Sequence, residues 1–156
     1  MKNKQISVGG PGRRGWGGSS APLPSSTYLK KEEITIQHTD FQGAFLTKSN
    51  TLYNLPAGAI VLFIRLKPSV IFTGGAITNY FLFIGIAGKL QDLMTEYEAR
   101  NIVVGNQEYA EAFSAQSFDF NNTTALQISA RSVGANLAAS VSGTALIEIY
   151  YIDKVA

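Results

Sequence analysis

The chain has 156 residues and no cysteine, which gives room for one domain with a buried core and excludes a disulfide scaffold, a thiolate metal site and a cysteine nucleophile. Charged residues make up only 15% of the chain, against about 25% in a typical soluble protein, and apolar residues reach 46%. With so little charge to cover it, such a surface points to a domain that buries much of itself in subunit contacts, rather than to a free β domain clothed in Ser, Thr and Asn.

The net charge of +2 hides an asymmetry. Lys2, Lys4, Arg13 and Arg14 place four positive charges and no acid in the first twenty residues, so the remainder is slightly acidic. The body is therefore not a nucleic-acid binder by charge. No apolar run of about 20 residues is present to span a membrane as a helix. The start lacks the apolar stretch of a signal peptide, so secretory export is not expected. A cysteine-free chain of this kind suits synthesis in a reducing bacterial cytoplasm.

Residues 1–26 read as a Gly/Pro-rich basic arm and linker, closed by Pro22, Pro24 and Ser25-Ser26. Residues 27–156 read as a single β domain. Ile34–Gln37 alternates apolar and polar, and Phe41–Thr47 does so more loosely. Leu55-Pro56-Ala57-Gly58 is a turn that launches Ala59–Lys67, apolar on both faces in its first half. Pro68 is expected to end it as a central strand. Val70-Ile71-Phe72 follows, then a Thr73-Gly74-Gly75 turn and the aromatic-rich strand Tyr80–Ile86.

After Gly88 the period changes. Leu90, Leu93, Met94 and Tyr97 recur at i, i+3, i+4 and i+7, which predicts a short helix over Leu90–Ala99. Ile102-Val103-Val104 reads as a short strand. Asn106–Asn122 reads as a polar excursion anchored by Tyr109, Phe113, Phe118 and Phe120. Thr124–Ala130 alternates again, Val133–Ser140 is a loop, and Thr144–Ile152 is the last strand. In that strand Ala145, Ile147, Ile149 and Tyr151 share one face; Leu146, Glu148, Tyr150 and Ile152 share the other. Seven or eight short strands with Gly/Pro turns and one helix predict an all-β fold: an antiparallel β-sandwich or jelly roll with an extended N-terminal arm.

Catalytic signals are sparse. His38 is the single histidine, and no G-x-S-x-G elbow accompanies it. Gly85–Leu90 superficially resembles a phosphate loop but fails the P-loop pattern at two positions, Phe83 and Leu90. Asp119, Asn121 and Asn122 offer oxygen ligands without EF-hand spacing and read as an Asx-rich turn. The acids Glu96, Glu98, Glu108 and Glu111 show no spacing that selects a catalytic pair. No enzyme, metal or cofactor is expected.

Interaction signals are stronger. In the arm, Arg13, Arg14 and Trp16 offer charge and an aromatic anchor for an acidic protein surface, and Pro22 limits the freedom lost on docking. Lys4–Val8 can lie extended and add a strand to a neighbour. Four charges over thirteen positions are a weak nucleic-acid signal. A second possibility is a carbohydrate- or receptor-binding β-sandwich module on a fibre or spike, with Tyr109, Asn121, Asn122 and Asn136 as the ligand-binding loop residues.

Four elements in order resemble a family. They are the Leu55-Pro56-Ala57-Gly58 turn into an apolar strand, the Phe72-Thr73-Gly74-Gly75 turn, the strand ending Phe83-Ile84-Gly85-Ile86, and the closing run Ser142–Ile152. This order is similar to that of small β-sandwich virion proteins of tailed bacteriophages, of the head decoration and head-fibre kind. The chain departs from the family pattern at Gly85–Gly88, where an acidic residue more often follows the glycine. The resemblance implies a non-enzymatic virion component, often trimeric. Its partners would be major capsid or portal and neck proteins, and a terminal arm would serve as anchor.

Overall fold

The alternation in the last strand organises the molecule. A computed structural model describes residues 28–100, 109–112 and 119–153. Its elements are β1 (Tyr28–Gln37), α1 (His38–Phe41), β2 (Thr47–Leu55), β3 (Ala59–Thr73), β4 (Asn79–Ile86), β5 (Lys89–Glu98), β6 (Tyr109–Ala112), β7 (Asp119–Phe120), β8 (Thr124–Val133) and β9 (Ser142–Asp153). A single 3₁₀ turn at Leu137–Ala139 lies between β8 and β9. Of the two faces read for β9, the one carrying Ala145, Ile147, Ile149 and Tyr151 is buried against the core. A strand with one buried face fixes its register, because a slip of one residue would turn every one of these side chains to water.

β9 is flanked on both sides in the larger sheet, whose order is β1-β9-β3-β6, with β7 also paired to β3. The smaller sheet has the order β2-β8-β4-β5. All of these pairings are antiparallel. β6 pairs with Phe63–Leu66 and β7 with Ala59–Ile60, so the two short strands occupy one strand position interrupted at 113–118. With that position counted once, the chain crosses between two four-stranded sheets at each step except the β4–β5 hairpin, the connectivity of a jelly roll. Between them lie Ile64, Leu66, Phe72, Tyr80, Leu82 and Ile147, all fully buried. Phe120 is half-buried against this core, an anchor for the excursion it ends.

The sequence expectations need three corrections. Residues 90–99 are not a helix: Lys89–Glu98 is strand β5, paired with β4. The ladder shifts register between Leu82 and Ile84, and again between Ile84 and Ile86. These shifts place Met94 opposite Ile84 and Tyr97 opposite Leu82, three residues apart on one strand and two on the other. A bulged strand therefore imitates helical spacing, with both Leu93 and Met94 buried. The one short α-helix lies instead at His38–Phe41, where the Asp40 carboxylate accepts the Gln37 N–H at 2.7 Å. That helix and the loop after it replace the strand expected over 41–47.

Nor does Pro68 end β3, which runs on to Thr73. The β9 ladder shifts register between Pro68 and Val70, so the missing N–H falls at a bulge. The strand expected at 102–104 lies outside the described residues.

Two glycines test the packing. A Cβ on Gly85 would sit 2.1 Å from the Lys89 carbonyl oxygen, because the start of β5 crosses over it; a Cβ on Gly75 would meet nothing within 4 Å. Gly85→Ala should cost about 1–3 kcal/mol through forced backbone displacement, while Gly75→Ala should change stability by less than about 0.5 kcal/mol. Urea unfolding of both variants measures the difference; equal midpoints would contradict the close approach.

Candidate interaction surfaces

The outward set of β9 builds an unusual face on the larger sheet. Register places Glu148 between Glu33 of β1 and Arg65 of β3, and Tyr150 between Lys31 and Phe63. Glu148 points away from the sandwich core, yet it is only 2% exposed. Its cover is cationic. Lys31 Nζ lies 2.6 Å from Oε1, Lys67 Nζ 3.2 Å from Oε2, and Arg65 NH1 3.4 Å from Oε2. Lys31 also pairs with Glu33. Two rings complete the face: Phe63 and Tyr150 have centroids 5.5 Å apart. Lys31 lies 5.6 Å from the Tyr150 ring centroid and Arg65 lies 5.2 Å from that of Phe63.

This cluster sets its own electrostatics. The Lys31 ammonium, with Lys67 behind it, holds the Glu148 carboxyl below the usual carboxylate range, although burial alone would push it up. Lys31 is raised in turn by its bonds to Glu148 and Glu33. The arrangement ties three adjacent strands through one carboxylate. The Tyr150 hydroxyl also donates to Glu148 Oε2, at 3.5 Å.

The outer face of the smaller sheet has its own pair. Arg131 Nε donates to Glu96 Oε1 at 2.7 Å and NH2 to Oε2 at 2.5 Å, a bidentate geometry. The guanidinium carbon lies 4.5 Å from the Phe81 ring centroid. An open depression of about 560 Å³ adjoins this pair, lined in part by Phe83, Lys89, Gln91 and Asp92.

One end of the sandwich is apolar and exposed. Phe45 is 61% exposed, Leu46 58% and Val141 70%. Their loops are stitched together by backbone bonds: Leu137 N–H to Phe45 O at 2.8 Å, Ser132 N–H to Leu46 O at 2.8 Å, and Val141 N–H to Thr73 O at 2.9 Å. Exposed apolar side chains gathered on bonded loops mark a surface suited to contact with another protein.

The residues singled out in the sequence are not brought to one place. Arg13, Arg14, Trp16 and Pro22 lie outside the described residues. Tyr109 belongs to β6, where its backbone pairs with Leu66. Asn121 and Asn122 are exposed in the turn before β8, and Asn136 is exposed beyond its far end. A ten-residue strand separates them, on the order of 30 Å. His38 opens α1 at the sandwich edge. Among the described residues no three His, Asp or Glu side chains gather as metal ligands, and no helix is long and apolar enough to cross a membrane. The Glu148 cluster escaped sequence reading because its four charged residues come from three strands, and only register joins them.

No family model matches the chain, and no curated protein matches it. Solved structures do resemble it. A chain of the cyanophage Pam1 capsid asymmetric unit is 21% identical, with a TM-score of 0.50 over 97% of this chain and 96% of that one. A chain from the acid-stable capsid structure of Helicobacter pylori bacteriophage KHP30 is 14% identical, with a TM-score of 0.47 over 82% of this chain and 95% of that one. One from the capsid of Ralstonia phage GP4 is 18% identical, with a TM-score of 0.44 over 86% and 91%. The likeness to the Pam1 chain is one of fold: the all-β architecture expected from the sequence is shared along nearly the full length of both chains.

Glu148→Gln should lower stability at pH 7 by about 1–3 kcal/mol, since three cations lose their common anion. The sign with pH follows from the depressed carboxyl: its contribution is full above the unfolded-state pKa of about 4.3 and is lost as pH falls through the lower folded value. Thermal midpoints measured between about pH 7 and pH 2.5 should therefore converge for wild type and variant at the acid end. A constant offset across that range would contradict the account.

Proposed function

We propose that this chain is a non-enzymatic structural protein of a bacteriophage virion, of the capsid decoration or head-fibre type. The observation that carries the reading is the jelly-roll fold shared with a chain of the cyanophage Pam1 capsid over 97% of this sequence. The surface supports it. Charges on both sheet faces are paired with one another, as in Glu148 with its cations and Arg131 with Glu96. The exposed apolar end offers area for burial against a neighbour.

In this reading the partners are other virion proteins, major capsid or portal and neck subunits, and the chain works as a homo-oligomer, a trimer. Residues 1–24 form the anchor. Trp16 seats in a pocket of the neighbouring subunit, Arg13 and Arg14 meet acidic groups, and Pro22 reduces the freedom surrendered on docking. The carbohydrate-binding alternative gains no support, because Asn121 and Asn122 stand a full strand away from Asn136.

Deleting residues 1–24 should leave the thermal midpoint within a few degrees of the full chain and abolish co-sedimentation with particles lacking the endogenous protein. Attachment of the shortened chain at full-length levels would refute the anchor.

A further inference from the structure

β1 and β2 are the edge strands of the two sheets, and they border one open side of the sandwich. Between them lies a cleft of about 310 Å³. Its apolar lining comes from Ile34, Ile36, Phe41, Leu52 and Ile128, with Asp40 beside them. The cleft is bounded. The Tyr53 hydroxyl meets Glu32 Oε1 at 3.2 Å and Tyr151 Oη at 2.9 Å, bridging the sheets on one side of it. Near α1 the Asn50 amide donates to Asp40 O at 2.7 Å, and the Lys48 ammonium to the same oxygen at 3.0 Å. A register shift between Thr51 and Tyr53 marks a bulge in β2 at Leu52, beside the opening.

The edge strand β1 is protected over only part of its length. Lys30, Lys31, Glu32 and Glu33 give four consecutive charges, and Lys30 is held by Asp153 at 2.6 Å. Charges of this kind discourage a foreign strand from pairing with an edge. Ile34–Gln37 carries none, and Ile34, Thr35 and Ile36 all line the cleft. The unguarded half of the edge and the apolar cleft coincide. Together they offer an uncharged stretch of edge over Ile34–Ile36 beside a pocket for alternate apolar side chains, the Gln37 N–H being already given to Asp40.

We propose that this cleft takes the segment Lys4–Val8 of a second copy of the chain, paired along Ile34–Ile36. The proposal rests on the reading of the arm as an anchor between subunits, and names the surface that receives it. The segment fits in three respects. Ile6 and Val8 alternate with Gln5 and Ser7, so both apolar side chains face one side, as a two-side-chain pocket requires. Lys2 and Lys4 stand at one end of the segment, where antiparallel pairing with β1 brings their charge toward Asp40, and the arm carries no acid to be repelled there. Nineteen residues lie between Val8 and Tyr28. At about 3.3 Å each they reach some 65 Å when extended, well beyond the width of a domain this size, so a neighbour's cleft is within range.

The absence of native cysteine makes the test clean. Full-length chain carrying Ile6→Cys and Thr51→Cys is oxidised and run under non-reducing conditions, beside Ile6→Cys with Gln91→Cys, whose second site lies on the distant β5 edge. Thr51 lines the cleft and is exposed, so the variant is not expected to perturb the core. The expected result is covalent multimers for the Thr51 pair, at least tenfold over the Gln91 pair. A cross-link confined to single chains would show a chain's own arm in the cleft, and would overturn the proposal. So would equal cross-linking of the two pairs, or none. If cross-linking fails while deletion of 1–24 still abolishes particle attachment, the arm remains an anchor and this cleft is not its receptor.

Discussion

Everything in this fold depends on β9 holding two incompatible faces at once. Its inward residues, Ala145, Ile147, Ile149 and Tyr151, are apolar or nearly so and fill the space between the sheets. Its outward residue Glu148 is a charge that the strand buries on the other side. Hydrophobic burial fixes the register of β9 against β1 and β3, and that register alone brings Lys31, Arg65 and Lys67 over the carboxylate. The ion cluster is then a consequence of packing that reinforces it. An unpaired buried carboxylate would be costly, so an alternative register is penalised twice, once in the core and once on the face.

How much of this was legible in the sequence follows from the same distinction. The faces of β9 could be read because a strand turns successive side chains to opposite sides, which sets Glu148 against the wholly apolar or aromatic set Ala145, Ile147, Ile149 and Tyr151. The strands 59–67 and 80–86 could be read from β-branched and aromatic runs between turn residues. Helix assignment at 90–99 failed because bulges shift the phase of a strand, and a shifted period of two is indistinguishable from a short stretch of period 3.6 until the partner strand is known. Pro68 misled for a related reason: whether a proline is tolerated depends on which neighbour needs its N–H, and that is a property of the sheet. The interaction surfaces were less legible still. Phe45, Leu46 and Val141 are held by backbone bonds to Leu137, Ser132 and Thr73, partners remote in sequence, and the β1–β2 cleft exists only where two edges meet.

The described surface carries features that an assembly partner could use. The acids best placed for reaction are committed to ion pairs, Glu148 to three cations and Glu96 to Arg131. What remains open is backbone at an edge, an apolar cleft beside it and an apolar end. A jelly roll has free strand edges by construction, and proteins must either guard or use them. Here one half of β1 is guarded by charge and the other half is not. A basic arm rich in glycine can follow a neighbour's backbone closely, at an entropic cost that only repeated contacts in an assembly offset.

The most direct test of a virion role is the protein inventory of the particle itself. Particles are purified to constant density from the lysate in which this chain is produced, and the chain is quantified by mass spectrometry against the major capsid protein. The account predicts a fixed copy ratio to the capsid protein that survives high-salt washing. A chain abundant in the lysate but absent from the particles would contradict it.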